Sequence, residues 1–133
     1  MLIVLDTNVI VSGLLKPTGP PARLVDLVLS NAVQVAFDDR IISEYEEVLT
    51  RPPFGFPRSH VRALLDHIQL NGSPVLPNAP PLPDCPDPAD LPFAEVAISA
   101  SVGILVTGNQ AHFRFLAKHH VRVLSPADFL REL

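Results

Sequence analysis

Acidic side chains are the groups in this chain best placed to do chemistry, and three stretches present them. Asp6 closes the aliphatic run Leu2-Ile3-Val4-Leu5. A carboxylate at the end of a buried strand sits where a sheet opens to solvent, on a backbone held by a rigid element, which suits a metal ligand. The same position equally suits a cap for a helix beginning at Thr7 or Asn8. Glu44 and Glu46 share a segment with Ile41, Ile42, Tyr45, Val48 and Leu49. At about 100° per residue they fall on opposite flanks of that apolar stripe, while Glu47 points away from it. Periodicity leaves both flanking acids open as site residues or as surface charges. Asp90 lies near the middle of the face formed by Phe93, Ala94, Ala97 and Ile98, where a carboxylate is costly unless paired or hydrogen-bonded. Pro92 belongs in the first turn of a helix and would make Asp90 its N-cap, so capping and ligation both stand. Asp84 and Asp87 read as turn formers.

Carboxylates that converge repel one another and need a cation or shared protons. Hard oxygen ligands that leave waters in place suit Mg²⁺ or Mn²⁺, which activate a water and neutralise a phosphodiester as it reacts. Phosphodiester hydrolysis is the reaction such a cluster implies.

The elements that must position these residues follow from patterning. Residues 1–6 read as a strand buried on both faces. Residues 7–15 continue as a helix, and Lys16-Pro17-Thr18-Gly19-Pro20-Pro21 breaks the chain before a second helix over 22–30. Residues 33–37 form a second strand. A helix over 40–50, capped by Asp38 or Asp39, stops at Pro52-Pro53. Ser59 caps a fourth helix through Ile68, and 74–76 is a weak strand. Residues 77–88 hold six of the 15 prolines and read as an extended connector. A helix over 90–101, strand 103–107, helix 110–118, strand 121–124 and a short helix after Ser125-Pro126 complete the chain. Strands alternating with helices predict an α/β fold of three layers, a parallel sheet of about five strands flanked by helices. Ligands of such sheets bind beyond the strands' carboxyl ends, where strand order reverses. Asp6 and the turn Thr107-Gly108-Asn109 lie at such ends.

The chain has 133 residues, 47% apolar and 18% charged, which fits one domain over 1–133 with a core of its own. No apolar run approaches the roughly 20 residues of a membrane helix, and the start carries no export signal. Cys85 is the only cysteine, so neither a disulfide framework nor a thiolate zinc site is expected, and a cytoplasmic setting is. A net charge of −4 speaks against holding nucleic acid by a bulk basic field. Lys16, Arg51, Arg58, Arg62, Arg114 and Lys118 lie in loops or helices beside the expected mouth, either as RNA contacts or as ordinary solvated charges. His60, His67, His119 and His120 show no zinc spacing and read as surface or capping residues.

Leu5-Asp6-Thr7-Asn8-Val9, Ile42-Ser43-Glu44-Tyr45, Asp87-Pro88-Ala89-Asp90-Leu91-Pro92-Phe93 and Val106-Thr107-Gly108-Asn109 occur in this order, and in this the sequence resembles the PIN domain family over nearly its whole length. It is most similar to the small single-domain toxins of bacterial toxin–antitoxin pairs, including the run Val11-Ser12-Gly13-Leu14-Leu15. The resemblance implies an Mg²⁺- or Mn²⁺-dependent endoribonuclease, active as a homodimer and restrained by a small antitoxin. It implies Asp6, Glu44 and Asp90 as the catalytic acids, which favours Glu44 over Glu46. Asp6, Asp90 and Asn109 become the metal ligands, with Asn8 and Thr107 as supporting neighbours. Asn109 departs from the pattern, because many relatives carry aspartate there. His112 stands where some place a nearby acid, so it is either a further ligand or a helix-surface residue. A weakened site acting only as an RNA- or protein-binding module is the alternative these two residues support. A phosphatase with Asp6 as nucleophile would want an aspartate at position 8, which is asparagine.

Overall fold

The computed structural model describes residues 1–99 and 102–133, so the end of the helix expected over 90–101 falls at Ala100 and Ser101, outside the described residues. Five parallel strands form one sheet in the order β3-β2-β1-β4-β5. They are β1 (Leu2–Leu5), β2 (Gln34–Phe37), β3 (Ser73–Pro74), β4 (Ile104–Val106) and β5 (Arg122–Leu124). β1 is central because it is the strand that tolerates burial on both faces: Ile3, Val4 and Leu5 are at most 1% exposed. It pairs with β2 through Leu2–Gln34 and Ile3–Val35, and with β4 through Val4–Leu105 and Leu5–Val106. The chain lays β2 and β3 to one side of β1, then returns to place β4 and β5 on the other. The reversal of strand order therefore falls between β1 and β4.

Helices flank this sheet. They are α1 (Thr7–Leu15), α2 (Pro20–Leu29), α3 (Asp39–Leu49), α4 (Arg58–Asn71), α5 (Leu91–Ser99) and α6 (Pro126–Arg131). α2 packs against α1 and α6, while α3 packs against α4 and α5. Gly13 permits the α1–α2 approach, since a Cβ there would lie 2.7 Å from Val25 Cγ2 and 2.8 Å from the Pro21 carbonyl oxygen.

Several boundaries differ from those the sequence suggests. Pro20 and Pro21 belong to α2 instead of breaking the chain before it, because the first helical turn has no need of their missing N–H groups. Asp38, not Asp39, caps α3, accepting from the Ile41 N–H at 3.0 Å. Ser59 is not a cap: α4 starts at Arg58, after Pro57, two residues before a helix capped by Ser59 would. β3 sits at 73–74, a proline-bearing edge strand whose last bond runs from the Val75 N–H to the Phe37 carbonyl, 2.8 Å. Residues 110–119 wind as a 3-10 helix. Its buried residues Phe113 and Leu116 are three apart, the period of that helix, and His120 ends it in a left-handed conformation. His67 turns inward from α4 and its Nε2 bonds the Val28 carbonyl in the last turn of α2, 2.9 Å, so its capping role is real.

Candidate active site

The carboxyl ends of β1 and β4 stand side by side, and each delivers a buried polar residue. Asp6, 8% exposed, follows β1; Thr107, fully buried, follows β4. The Asp6 N–H bonds the Val106 carbonyl at 2.9 Å, which extends the ladder one residue and fixes where the carboxylate emerges. Asp6 occupies the N-cap position of α1, yet its side chain makes no capping hydrogen bond. Instead its Oδ2 accepts from the Thr107 hydroxyl at 2.7 Å. Burial raises the Asp6 pKa, and the Thr107 bond and the nearby His112 oppose that rise.

Around this pair the structure assembles a cleft of about 430 Å³. Asp6, Asn8, Glu44, Asp90, Asn109 and His112 all line it, joined by Thr7, Val11, Ser12, Val48 and Phe54. Glu44 enters from α3 and accepts a hydrogen bond from the Thr7 hydroxyl. Burial raises its pKa, the Thr7 bond opposes this, and the Asp6 charge adds to it. Glu46 faces a separate hollow with Thr50, Arg58 and Arg62, and Glu47 pairs with Arg51. Asp90 ends a 3-10 turn, Pro88–Asp90, that leads into α5. Asp87 caps that turn, accepting from the Ala89 N–H at 2.9 Å, so the helical run begins before Asp90. Asp90 Oδ2 is buried without a hydrogen-bond partner, 3.6 Å from His112 Nδ1. Desolvation, together with the Asp6 and Asp87 charges, pushes its pKa from 3.8 up to about 6, against the pull of His112. His112 is thus at the cleft mouth beside an acid, not on a remote helix face.

Short-range bonds hold the β4 turn in register with α1. The Asn8 Oδ1 accepts from the Gly108 N–H at 3.1 Å, and the Thr107 hydroxyl accepts from the Asn109 N–H at 3.0 Å. Below the cleft, the Tyr45 hydroxyl donates to the Leu5 carbonyl at 2.5 Å. α3 is clipped to α5 by Arg40, which reaches Asp38 at 2.7 Å and Glu95 at 2.6 Å.

Sequence reasoning placed Tyr45 in the apolar stripe and missed its hydroxyl, although a buried tyrosine must find a partner for that group. The sequence marks Thr7 only as a helix start, although a hydroxyl directly after the strand-end acid is a signal for such a bond. Phe54 carried none. The six basic residues named from the sequence are absent from the cleft lining. Lys118 pairs with Asp84, Arg51 with Glu47, and Arg114 lies in another hollow with Arg122. Arg51 nevertheless stands close enough to the cleft for its charge to lower the Glu44 pKa.

The oxygen donors and the orphaned Asp90 Oδ2 fit a hard divalent cation in kind. As placed, no three Asp, Glu, His or Cys side chains among the described residues are gathered closely enough to hold a metal ion. Two of the acids are occupied by threonine hydroxyls, so binding a cation requires them to draw together.

No curated protein matches the chain. The model of the PIN domain family matches residues 2–111, from β1 through the start of the 3-10 segment after β4, and so contains every residue of the cleft lining except His112. With its five-strand parallel sheet flanked by helices, the chain belongs to the PIN domain family.

Proposed function

We propose that residues 1–133 form one PIN domain acting as a metal-dependent endoribonuclease, with Asp6, Glu44 and Asp90 as its catalytic acids. PIN domains are generally nucleases. The observation that carries the reading is Asp90, a desolvated carboxylate with an unpartnered oxygen facing a cleft that also holds Asp6 and Glu44. Perturbed acids in one cleft are the usual mark of a functional site.

Asp6, Asp90 and the Asn109 carbonyl oxygen would hold Mg²⁺ or Mn²⁺, which supplies a more acidic bound water and neutralises phosphate charge. Glu44 orients the attacking water and takes up its proton, a task suited to a carboxylate of raised pKa. Thr107 and Asn8 keep Asp6 and the 107–109 turn in place, and His112 tempers the charge on Asp90. Asn109 brings no charge, so affinity for the ion is lower than in an all-acidic site. The role is that of a toxin in a toxin–antitoxin pair, a homodimer restrained by a small antitoxin at the cleft. No helix among the described residues is long and apolar enough to cross a membrane, and the lone cysteine suits a reducing cytoplasm.

Purified protein incubated with varied RNAs in Mg²⁺, Mn²⁺ or EDTA tests this. Cleavage with either metal and none in EDTA is expected. RNA retained without cleavage under all three conditions would instead identify a binding module, the reading favoured by the dispersed acids and by Asn109.

A further inference from the structure

Beside its carboxylates the cleft lining includes the apolar residues Val11, Val48 and Phe54. Phe54 is its only phenyl ring, and unlike Phe56 it is not packed against the hydrophobic core. The two rings stack, with centroids 5.6 Å apart and planes 15° from parallel, and both remain partly exposed. The segment that presents them is stiff. Pro52 and Pro53 open a 3-10 turn closed by bonds from the Phe54 and Gly55 N–H groups to the Arg51 and Pro52 carbonyls, both 3.1 Å. Gly55, at φ 65°, makes the left-handed reversal that folds Phe56 back onto Phe54.

The cleft lining contains no lysine or arginine, and the chain carries a net charge of −4. Phosphate contacts then fall to the ion and to charges outside the lining such as Arg51, and base stacking on an aromatic face is a further source of affinity. We propose that Phe54, backed by Phe56, is a platform for one unpaired base of the bound RNA. Bases within a duplex are already stacked on both faces and offer none to a side chain. This rests on the nuclease reading of the adjoining acids.

The chain has no tryptophan, so Phe54→Trp introduces a single indole at the platform, read apart from Tyr45 by excitation at the red edge. In an Asp6→Asn background, which leaves the RNA uncut, titration with a randomised ten-nucleotide RNA should quench the indole. An abasic strand of the same length, or a duplex, should quench far less. On cleavable RNA, Phe54→Ala should raise KM roughly 5- to 100-fold with kcat little changed, and Phe54→Trp should restore KM. Equal quenching by the abasic strand, or an unchanged KM in Phe54→Ala, overturns the platform. So does indole fluorescence that responds to dilution of the protein alone and not to RNA, which would assign the rings to a second copy. Cleavage by the parent with an indole unmoved by RNA refutes the platform and spares the nuclease reading. Base-dependent quenching without cleavage by the parent does the reverse.

Discussion

Replacing Asp90 by asparagine keeps the shape of the side chain and removes its charge, and the metal-free protein should gain stability from it. Asp90 stands beside Asp6 and Asp87, and its pKa rises from 3.8 to about 6. The folded state therefore prefers the protonated form. The contribution of this group to stability is complete below pH 3.8 and is lost as pH rises through about 6. One pKa unit corresponds to about 1.4 kcal/mol, so two units set a ceiling of about 3 kcal/mol at pH 7.5. The side chain retains 16% exposure at a solvent-filled cleft, and screening brings the expected gain of Asp90→Asn to about 1–2 kcal/mol. For a chain of this size that is a rise of about 3–8 °C in Tm. Thermal unfolding followed by circular dichroism in EDTA should show this gap at pH 7.5 and a much smaller one at pH 4.5. Adding Mn²⁺ should raise the Tm of the wild type and leave the variant nearly unmoved, because the ion stabilises the state that binds it. A variant melting at or below wild type in EDTA at pH 7.5, or a gap that persists on acidification, would refute the charge-repulsion reasoning.

Tyr45→Phe deletes the donor to the Leu5 carbonyl and should cost about 1–2 kcal/mol in a denaturant titration, with slower RNA cleavage as the end of β1 loosens. Thr107→Val removes the hydroxyl bond to the buried Asp6 carboxylate. It should destabilise by about 1.5–3 kcal/mol at neutral pH and move the acid limb of the cleavage pH profile upward, because Asp6 loses the group that holds its pKa down. Asn109→Asp adds a charge at the cleft mouth and should tighten Mn²⁺ binding about tenfold by calorimetry, a difference of about 1.4 kcal/mol. Unchanged affinity would remove Asn109 from the metal's surroundings.

The central sheet was readable because Leu2–Leu5 and Ile104–Val106 are short, strand-length aliphatic runs, as doubly covered parallel strands require. The same patterning fixed Asp6 at a strand end but could not tell a cap from a site residue. That depended on Thr107, about a hundred positions away, drawing the carboxylate toward β4. Glu44 and Glu46 flank one stripe symmetrically, and the fold separates them by which flank α3 turns toward α1. Family resemblance favoured Glu44, and Glu44 is the one in the cleft with Asp6. Asp87 and Asp90 both bracket Pro88-Ala89, so local rules could not assign the cap to one and leave the other free. Ser59 and the prolines of α2 misled because a helix start is fixed by packing as much as by its first residue. Phe54 was beyond reach, since neither periodicity nor spacing says which loops meet across a fold.

The most direct measurement is the cleavage rate of one labelled RNA by the wild type and by Asp6→Asn, Glu44→Gln and Asp90→Asn, at saturating Mn²⁺, with each variant's fold checked by circular dichroism. A site built from these acids predicts folded variants whose rates fall by about a hundredfold or more, since each loses a group that acts on the ion or the attacking water. Folded variants that cleave within a few fold of the wild type would place the chemistry elsewhere and contradict the assignment.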